Sequence, residues 1–267
     1  MACGSTAITD MASAIAGSAP ISVIGKLRIA VRVSAMVALL LVSVPGYYLW
    51  RALRLPNPWP RWFLGGVAMV AGVEVLITGQ RVRRGAFYLT NHVSWLDVPA
   101  LAGASGAAFV AHDGLAAYPV LKWLCEMNDT VFVARHDRAS VATQVAQVRA
   151  AIAETSALAV FPEGTTSDGT GLLPFKSSLL SALDPIPEGI AVQPVLLDYG
   201  AEAADIAWIG EEHGLDNFKR ILARGRSLQL TVHFLPPLTG EALHDRKTMA
   251  AAARSAMLAE LQRGRSV

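Results

Sequence analysis

The sequence predicts an α/β fold in which a mixed sheet is flanked by helices and is preceded by an N-terminal, membrane-associated hairpin of two helices. From Gly72 onward, short apolar segments of strand length alternate with longer segments in which apolar residues recur every three or four positions. This alternation is typical of helices packed on a sheet. Before that point the chain carries two long apolar runs. We therefore divide it into a mobile tail (residues 1–20), a membrane-anchoring helical hairpin (residues 21–79) and an α/β domain (residues 80–267).

Charge is distributed unevenly along the chain. Residues 1–84 contain nine Lys and Arg and two acidic residues, a net charge of +7, whereas the whole chain carries +2 and the remainder therefore −5. A basic, apolar N-terminal third indicates contact with an anionic membrane surface. Its basic residues lie among aliphatic runs, which does not indicate binding to nucleic acid. The two cysteines, Cys3 and Cys125, have no metal-binding or redox spacing, which fits a reducing cytosolic compartment.

The two apolar runs, Val33–Trp50 and Trp62–Thr78, are 18 and 17 residues long. As helices they would extend about 27 Å, slightly less than a ~30 Å hydrocarbon core. The connector Arg51–Arg61 contains three prolines and cannot be helical throughout. Basic residues flank both runs, so the positive-inside rule gives no orientation. Two alternatives remain open, a short transmembrane hairpin and a helical pair lying in one leaflet, and we slightly favour the second.

The α/β domain is predicted from the alternation of its elements. Seven short apolar segments are candidate strands: Val75–Val82, Ala86–Thr90, Ala107–Ala111, Thr130–Ala134, Ala157–Phe161, Ile190–Leu197 and Ser227–Leu235. Five segments are candidate helices: Ser94–Ala104, Pro119–Glu126, Arg138–Thr155, Lys176–Leu183 and His244–Gly264. The alternation of Val73, Val75 and Ile77 indicates that the first strand begins within the second apolar run.

A histidine and a carboxylate follow the second candidate strand in the stretch Asn91–Asp97. His92 and Asp97 are five residues apart, about 140° around a helix, so they can meet if His92 lies in a loop and Asp97 in the first turn of the next helix. Such a pair can act as a base and the group that orients it. A histidine at a strand end beside an unrelated aspartate is the alternative, and the spacing alone favours it.

A second motif, Phe161–Ser167, follows the candidate strand that begins at Ala157. Its glycine and hydroxyl residues can offer backbone N–H groups and hydroxyls to an anion. It is not a phosphate-binding P-loop, because the Gly-Lys-Ser/Thr ending is absent. A solvated loop built from turn residues is the alternative.

Together the motifs resemble those of the glycerolipid acyltransferase family, the 1-acylglycerol-3-phosphate acyltransferases and their relatives. Asn91–Asp97 matches that family's first motif and Phe161–Thr165 its third. Val131–Arg135 looks like the second motif, and Val192–Val195, a strand with a central proline, looks like the fourth. All four occur in the family's order over about residues 73–200.

The resemblance implies an acyltransferase domain that moves a fatty acyl group from an acyl thioester to a hydroxyl of a lysolipid. His92 would remove the proton from that hydroxyl, and Asp97 would orient His92 and stabilise its charged form. The thioester would be a co-substrate, acyl-CoA or acyl carrier protein, and we expect no other cofactor and no metal ion. The hairpin fits the helical pair with which some members sit on the membrane, so we expect membrane lipid as a partner and a location on the cytoplasmic face of the inner membrane.

The resemblance also assigns residues to the acceptor headgroup. Arg135, Glu163, Gly164 and Thr165 would hold it, and the arginine suits a phosphate. Lys176 would face the acceptor or a phosphate of the thioester. A lysine at a helix N-terminus is an equally good interpretation of Lys176.

The chain departs from the family pattern at two positions. Many members carry an arginine where this chain has Thr166, and many carry a lysine where it has His112; both changes weaken a strictly phosphate-bearing acceptor. The run Pro162–Lys176 looks like the branch that includes lyso-ornithine lipid acyltransferases. By a narrow margin we rank 1-acyl-sn-glycerol-3-phosphate first, with phosphatidate as the product, and a lyso-ornithine lipid second. A non-catalytic lipid-binding protein is a remote alternative, because the predicted base and its orienting carboxylate are both present.

Overall fold

The computed structural model of the protein describes residues 20–133, 141–154 and 156–265. Within these ranges, seven strands form one sheet: β1 (Val73–Gly79), β2 (Ala86–Thr90), β3 (Ala108–His112), β4 (Val131–Val133), β5 (Ala157–Val160), β6 (Ala191–Asp198) and β7 (Leu228–Phe234). Their order across the sheet is β1-β7-β6-β2-β5-β3-β4. Only β6 and β7 are antiparallel among these neighbouring pairs. The prediction of a mixed sheet is confirmed.

The described residues also contain eight α-helices: α1 (Val23–Ala52), α2 (Trp59–Val70), α3 (Asp97–Ser105), α4 (Pro119–Met127), α5 (Val141–Glu154), α6 (Ala203–Ile206), α7 (Gly214–Ala223) and α8 (Arg246–Arg265). Shorter 3₁₀ helices lie at Asp113–Ala117, Ser177–Leu183, Gly200–Glu202 and Gly240–Leu243. The predicted helix Lys176–Leu183 is therefore wrong in type, and α7 was not predicted.

Each face of the sheet has its own apolar core. Successive residues of a strand point to opposite faces, so Tyr88 packs on one side of β2 and Phe87 on the other. Helices α2, α3 and α7 cover the face of Tyr88, and α5 and α8 cover the face of Phe87. The two cores bury β2 completely on both sides. Because β2 is also the fourth of the seven strands in the sheet, the loop that follows it begins from a firmly packed position.

The predicted hairpin region contains two helices of unequal length followed by a strand. Helix α1 is 30 residues long and α2 is 12, so α2 extends about 18 Å and is too short to span a bilayer. In the structure Val73–Gly79, which our division placed with the hairpin, form β1 and pair with β7 in the sheet. The predicted tail, apart from Pro20, lies outside the described residues.

One stripe of α1 faces the α/β domain along the length of the helix. Gly25, Ser43 and Tyr47 are buried, and Ile29 and Met36 pack against the core on that face of the sheet. Because these positions recur at intervals of three or four residues or their sums, they lie on one side of the helix.

The other faces of α1 expose apolar residues, among them Val23, Leu27, Val31 and Leu41, each at least 60% exposed. Within the described part of the chain, α1 is the one helix long and apolar enough to cross a membrane, with a mean hydropathy of 2.1 over its most apolar 18 residues. Its exposed faces therefore form an apolar surface that water does not favour.

Glycines allow α2 to approach α3 closely. A Cβ atom added at Gly103 of α3 would lie 2.5 Å from the Cα of Gly65 of α2, closer than carbon atoms can pack. Any larger side chain at this crossing would push the helices apart. The N-terminal helices and the helix that begins at Asp97 are thereby held as one packed unit.

Candidate active site

Three loops meet at one edge of the sheet. Strands β2, β5 and β6 are parallel neighbours, with Leu89 paired to Val160 and to Pro194. Their carboxyl ends therefore lie side by side, which is where open α/β sheets usually place ligand sites. The loops that leave these ends carry the first motif, the third motif and the residues that follow β6.

His92 and Asp97 are in contact, as their spacing allowed. The His92 Nδ1 atom lies 2.7 Å from Asp97 Oδ2. Asp97 begins α3, and its Oδ2 also accepts hydrogen bonds from the backbone N–H groups of Val93 and Ser94 at 2.6 and 2.9 Å. A carboxylate surrounded by donors can only accept, so Nδ1 of the imidazole carries the hydrogen and Nε2 carries the free lone pair.

The exposure of the two side chains suits a base and the group that orients it. Asp97 is fully buried, whereas His92 is 21% exposed. Among the described residues, Nε2 of His92 has no hydrogen-bond partner. The imidazole stacks on Phe161, with ring centroids 4.2 Å apart, and the carbonyl oxygen of His92 accepts hydrogen bonds from the N–H and hydroxyl of Ser167. The ring is fixed on its buried side and open on the other.

Glu163 lies beneath the first motif rather than in solvent. It is 1% exposed, and its two carboxylate oxygens accept hydrogen bonds from the backbone N–H groups of His92 and Leu173, each at 3.4 Å. Burial raises the pKa of Glu163 from 4.5 to about 7, and the charge of Asp97 adds to this effect, while the two hydrogen bonds and Arg254 oppose it. The carboxylate thereby joins the loops that follow β2 and β5.

The other predicted headgroup residues lie around Gly164. Its φ of 69° suits glycine, and a Cβ added there would lie 2.9 Å from Nζ of Lys176 and 3.2 Å from its Cδ. Lys176 is exposed and is held by a hydrogen bond from its N–H to the Pro162 carbonyl oxygen. Thr165, the residue after Gly164, is also exposed. Arg135 lies outside the described residues, so its assignment stays a prediction.

The side chain of Thr166 forms a hydrogen bond within the protein. Its hydroxyl donates to the carbonyl oxygen of Trp208, and the N–H of Trp208 donates to the carbonyl oxygen of Val93 at 3.0 Å. The segment between β6 and α7 therefore fastens the third motif to the first.

The structure also reveals partners that the motif analysis missed. The Tyr199 hydroxyl donates to Asp97 Oδ1 at 2.7 Å, and the Asn91 side chain exchanges two hydrogen bonds with the backbone of Leu197. The sequence contained only a weak indication of the role of Tyr199. Tyr199 is the first residue after β6, and polar groups just beyond parallel strands lie close together at one edge of a sheet. No local spacing links it to Asp97, 102 residues earlier.

An apolar cavity of about 180 Å³ lies beside the start of α3. Helices α1, α2 and α4 form most of its wall, and Val98, the neighbour of Asp97, also lines it. Within the described ranges, no cluster of three or more His, Cys, Asp and Glu side chains could hold a metal ion. Nε2 of His92 thus faces outward beside a buried carboxylate, and an apolar cavity lies near the start of the helix that follows. A histidine placed in this way can accept a proton from a hydroxyl.

Comparison with known proteins identifies the class. The Acyltransferase family model matches residues 72–198. The chain is 32% identical to the lyso-ornithine lipid O-acyltransferase of Brucella abortus over 90% of its own length and 96% of that protein. It is 34% identical to the 1-acyl-sn-glycerol-3-phosphate acyltransferase of Neisseria meningitidis, over 47% of this chain and 49% of that one. The protein belongs to the glycerolipid acyltransferase family and is an O-acyltransferase of lysolipids.

The fold is shared with a solved structure. The 1-acyl-sn-glycerophosphate acyltransferase PlsC from Thermotoga maritima superposes with a TM-score of 0.61 over 91% of this chain and 98% of that chain, at 19% identity. This match supports the mixed sheet with flanking helices and a long apolar N-terminal helix.

Substitution of His92 should strongly lower the rate of acyl transfer. We expect His92→Ala to lower kcat by about 10²–10⁴, the usual contribution of a general base. Asp97→Asn should cause a loss of similar order, because an amide NH₂ facing Nδ1 favours the wrong tautomer. The rates are measured with one acceptor and one thioester donor, and unfolding temperature and membrane binding serve as controls. Wild-type turnover by folded His92→Ala would contradict the assignment.

The raised pKa of Glu163 predicts a pH-dependent stability. Between pH 4.5 and about 7 the folded protein keeps a proton that the unfolded chain loses, so stability falls as pH rises through this window. Glu163→Gln lacks this titration. As the pH is raised from 4.5 to 8, its free energy of unfolding should therefore increase relative to that of wild type by on the order of 3 kcal/mol. Urea unfolding in detergent micelles measures the difference. Glu188→Gln, at an exposed glutamate, is the matched control; a similar pH dependence of wild type and Glu163→Gln would refute this prediction.

Proposed function

We propose that the protein transfers a fatty acyl group from an acyl thioester to the free hydroxyl of a lyso-ornithine lipid. The observation that carries this proposal is the match to the Brucella abortus enzyme, which extends over nearly the full length of both chains. The Neisseria 1-acyl-sn-glycerol-3-phosphate acyltransferase matches over about half of each chain. These matches favour a lyso-ornithine lipid as the acceptor, whereas the sequence alone ranked 1-acyl-sn-glycerol-3-phosphate first by a narrow margin. 1-acyl-sn-glycerol-3-phosphate is therefore the second candidate acceptor.

The site geometry accounts for the chemistry of the transfer. Nε2 of His92 takes the proton from the acceptor hydroxyl as its oxygen attacks the thioester carbonyl. Asp97 stabilises the imidazolium that forms. When the tetrahedral intermediate collapses, the carbon–sulfur bond breaks and the thiolate receives the proton from Nε2. The products are an ester and a free thiol, and the base returns to its starting state without a covalent acyl-enzyme.

The environment of Thr166 supports an acceptor without a phosphate. An ornithine headgroup carries an ammonium and a carboxylate, whereas lysophosphatidate carries a phosphate that binds best to guanidinium groups. At Thr166 the chain offers a neutral hydroxyl, and that hydroxyl is occupied by the Trp208 carbonyl oxygen. The exposed Lys176 beside Gly164 provides one positive charge, which suits a carboxylate.

The packing of α1 supports attachment to a single leaflet. Its N-terminal half is tied to α7, where the Arg32 guanidinium donates to the carbonyl oxygens of Leu222 and Arg224. Its C-terminal half packs on α2 and lines the apolar cavity. A helix bound to the domain at both ends cannot cross a bilayer without carrying the domain into it, so we place α1 in the plane of one leaflet. Cytosolic acyl-CoA or acyl carrier protein then reaches the site from the cytoplasmic face of the inner membrane.

An acceptor panel tests the proposed substrate. Purified enzyme receives one long-chain acyl thioester with lyso-ornithine lipid, lysophosphatidate or lysophosphatidylcholine, and kcat/KM is measured for each. We expect the highest value for lyso-ornithine lipid, and a value about 10²–10⁴ lower for His92→Ala with every acceptor. A higher kcat/KM for lysophosphatidate would overturn the proposed acceptor while leaving the enzyme class intact.

The variant Thr166→Arg tests whether the residue at this position determines the choice of acceptor. A guanidinium at this position should raise kcat/KM for lysophosphatidate relative to lyso-ornithine lipid by about ten-fold, the effect of one charge-assisted hydrogen bond. Thr166→Val removes the same hydroxyl without adding charge and is the matched control. An equal change in both variants would show that the lost Trp208 contact, and not the charge, is responsible.

Cysteine labelling tests the placement of α1. With Cys3 and Cys125 replaced by serine, Pro20→Cys and Leu55→Cys mark the two ends of the helix, and Ser255→Cys on α8 marks the side of the domain. In proteoliposomes with the domain outside, all three positions should react with a membrane-impermeant maleimide. Protection of position 20 until detergent is added would instead demonstrate a spanning helix.

A further inference from the structure

Tyr199 is a buried tyrosine whose hydroxyl reaches the catalytic pair from a separate strand. It follows β6 directly, is 3% exposed and packs in the core on the α3 side of the sheet. Its hydroxyl donates to Asp97 Oδ1 at 2.7 Å. Burial, followed by the charge of Asp97 and the hydrogen bond to it, raises the pKa of Tyr199 well above 10. The hydroxyl therefore remains a donor at every pH at which the enzyme works.

The two oxygens of Asp97 have separate partners. Oδ2 accepts from the His92 ring and from the backbone N–H groups of Val93 and Ser94, all of which belong to the same short loop. Among the described residues, Oδ1 accepts from Tyr199 alone. Rotation about the Cβ–Cγ bond of Asp97 moves both oxygens, so a hydrogen bond to Oδ1 opposes that rotation in addition to the three contacts on Oδ2. Tyr199 supplies this further contact.

We propose that Tyr199 is a positioning residue for acyl transfer, which acts through Asp97 to orient the His92 imidazole and to set the pH at which His92 becomes a base. This inference rests on the proposed role of His92. Tyr199 touches neither Nε2 nor the reacting atoms in this arrangement. Its effect depends on the geometry and charge density of the carboxylate between it and the ring.

The sign of the effect on the pH profile follows from the hydrogen bond. The phenol draws negative charge from the carboxylate, which weakens the stabilisation of the imidazolium. Without the hydroxyl, Oδ1 is buried and unpaired, the charge concentrates on the carboxylate, and the protonated ring is favoured. The acid limb of the kcat/KM profile, which reports deprotonation of the base in the free enzyme, should then move to higher pH.

Other charged groups near the pair are unchanged by this substitution. Glu163 faces it from the loop after β5, and Arg254 of α8 acts on Glu163. Lys176 lies beside Gly164 on the exposed side. Because Glu163 titrates near pH 7, the acid limb is also measured in the Glu163→Gln background, where this contribution is absent.

Tyr199→Phe removes the hydroxyl and keeps the ring. We expect kcat to fall about ten-fold, part of the 10²–10⁴ that a well-placed base contributes, with KM nearly unchanged and the acid limb shifted to higher pH. Tyr88→Phe is the matched control, because Tyr88 is equally buried and its hydroxyl donates to the Val82 carbonyl oxygen on the same side of the sheet. It should keep the wild-type kcat and acid limb.

A second variant tests the proposal if Tyr199→Phe does not fold. Replacement of Tyr199 by 3-fluorotyrosine retains the hydrogen bond and makes the hydroxyl a stronger donor, so the acid limb should move in the opposite direction, to lower pH. Unchanged kcat and an unchanged acid limb in folded Tyr199→Phe, or equal losses in Tyr88→Phe, would overturn the proposal. An active His92→Ala would instead remove the base on which the proposal rests, so the two failures are distinguishable.

Discussion

The buried carboxylate of Asp97 is the group on which the rest of the site depends. An ionised carboxylate without partners is strongly disfavoured inside a protein, and it is stable there when donors surround it. Four donors converge on Asp97: the His92 ring, two backbone N–H groups of the same loop and the Tyr199 hydroxyl. Three of them belong to the loop that follows β2 and the fourth, Tyr199, follows β6, so the full set of donors is assembled only when these strands pair in register. The fold and the base are therefore established together.

The N-terminal helices pack rigidly against the helix that carries this carboxylate. Asp97 begins α3, and α3 crosses α2 at Gly65 and Gly103 without room for another side chain. Helix α1 packs on α2 and on α7 and exposes apolar faces outward. The distance between His92 and the exposed apolar faces of α1 is thereby set by packing and not by a linker, which suits the proposed reaction with a lipid acceptor.

The sequence predicted much of this site because the relevant information is local. The His92–Asp97 contact follows from a five-residue spacing, and the strands follow from short apolar runs whose bounds agree with the structure within a few residues. Tyr199 and Trp208 could not be predicted, because their partners are over a hundred and about forty residues away and depend on strand order. Helix α7 was missed although Leu215, Phe218 and Leu222 recur at helical spacing, and Ser177–Leu183 forms a 3₁₀ helix because tertiary packing overrides local periodicity.

The segment that follows β6 contacts both loops of the candidate site. Tyr199 at its start contacts Asp97, and Trp208 further along contacts both Thr166 of the third motif and Val93 of the first motif. An arginine in place of Thr166 would need the space and the carbonyl oxygen that Trp208 now provides. A change of headgroup would therefore disturb the segment that also holds Asp97. Residues 199–208 thus connect the loop that we propose for the acceptor with the loop of His92 and Asp97, so a relative with an arginine in place of Thr166 must support its carboxylate and its third-motif loop in a different way.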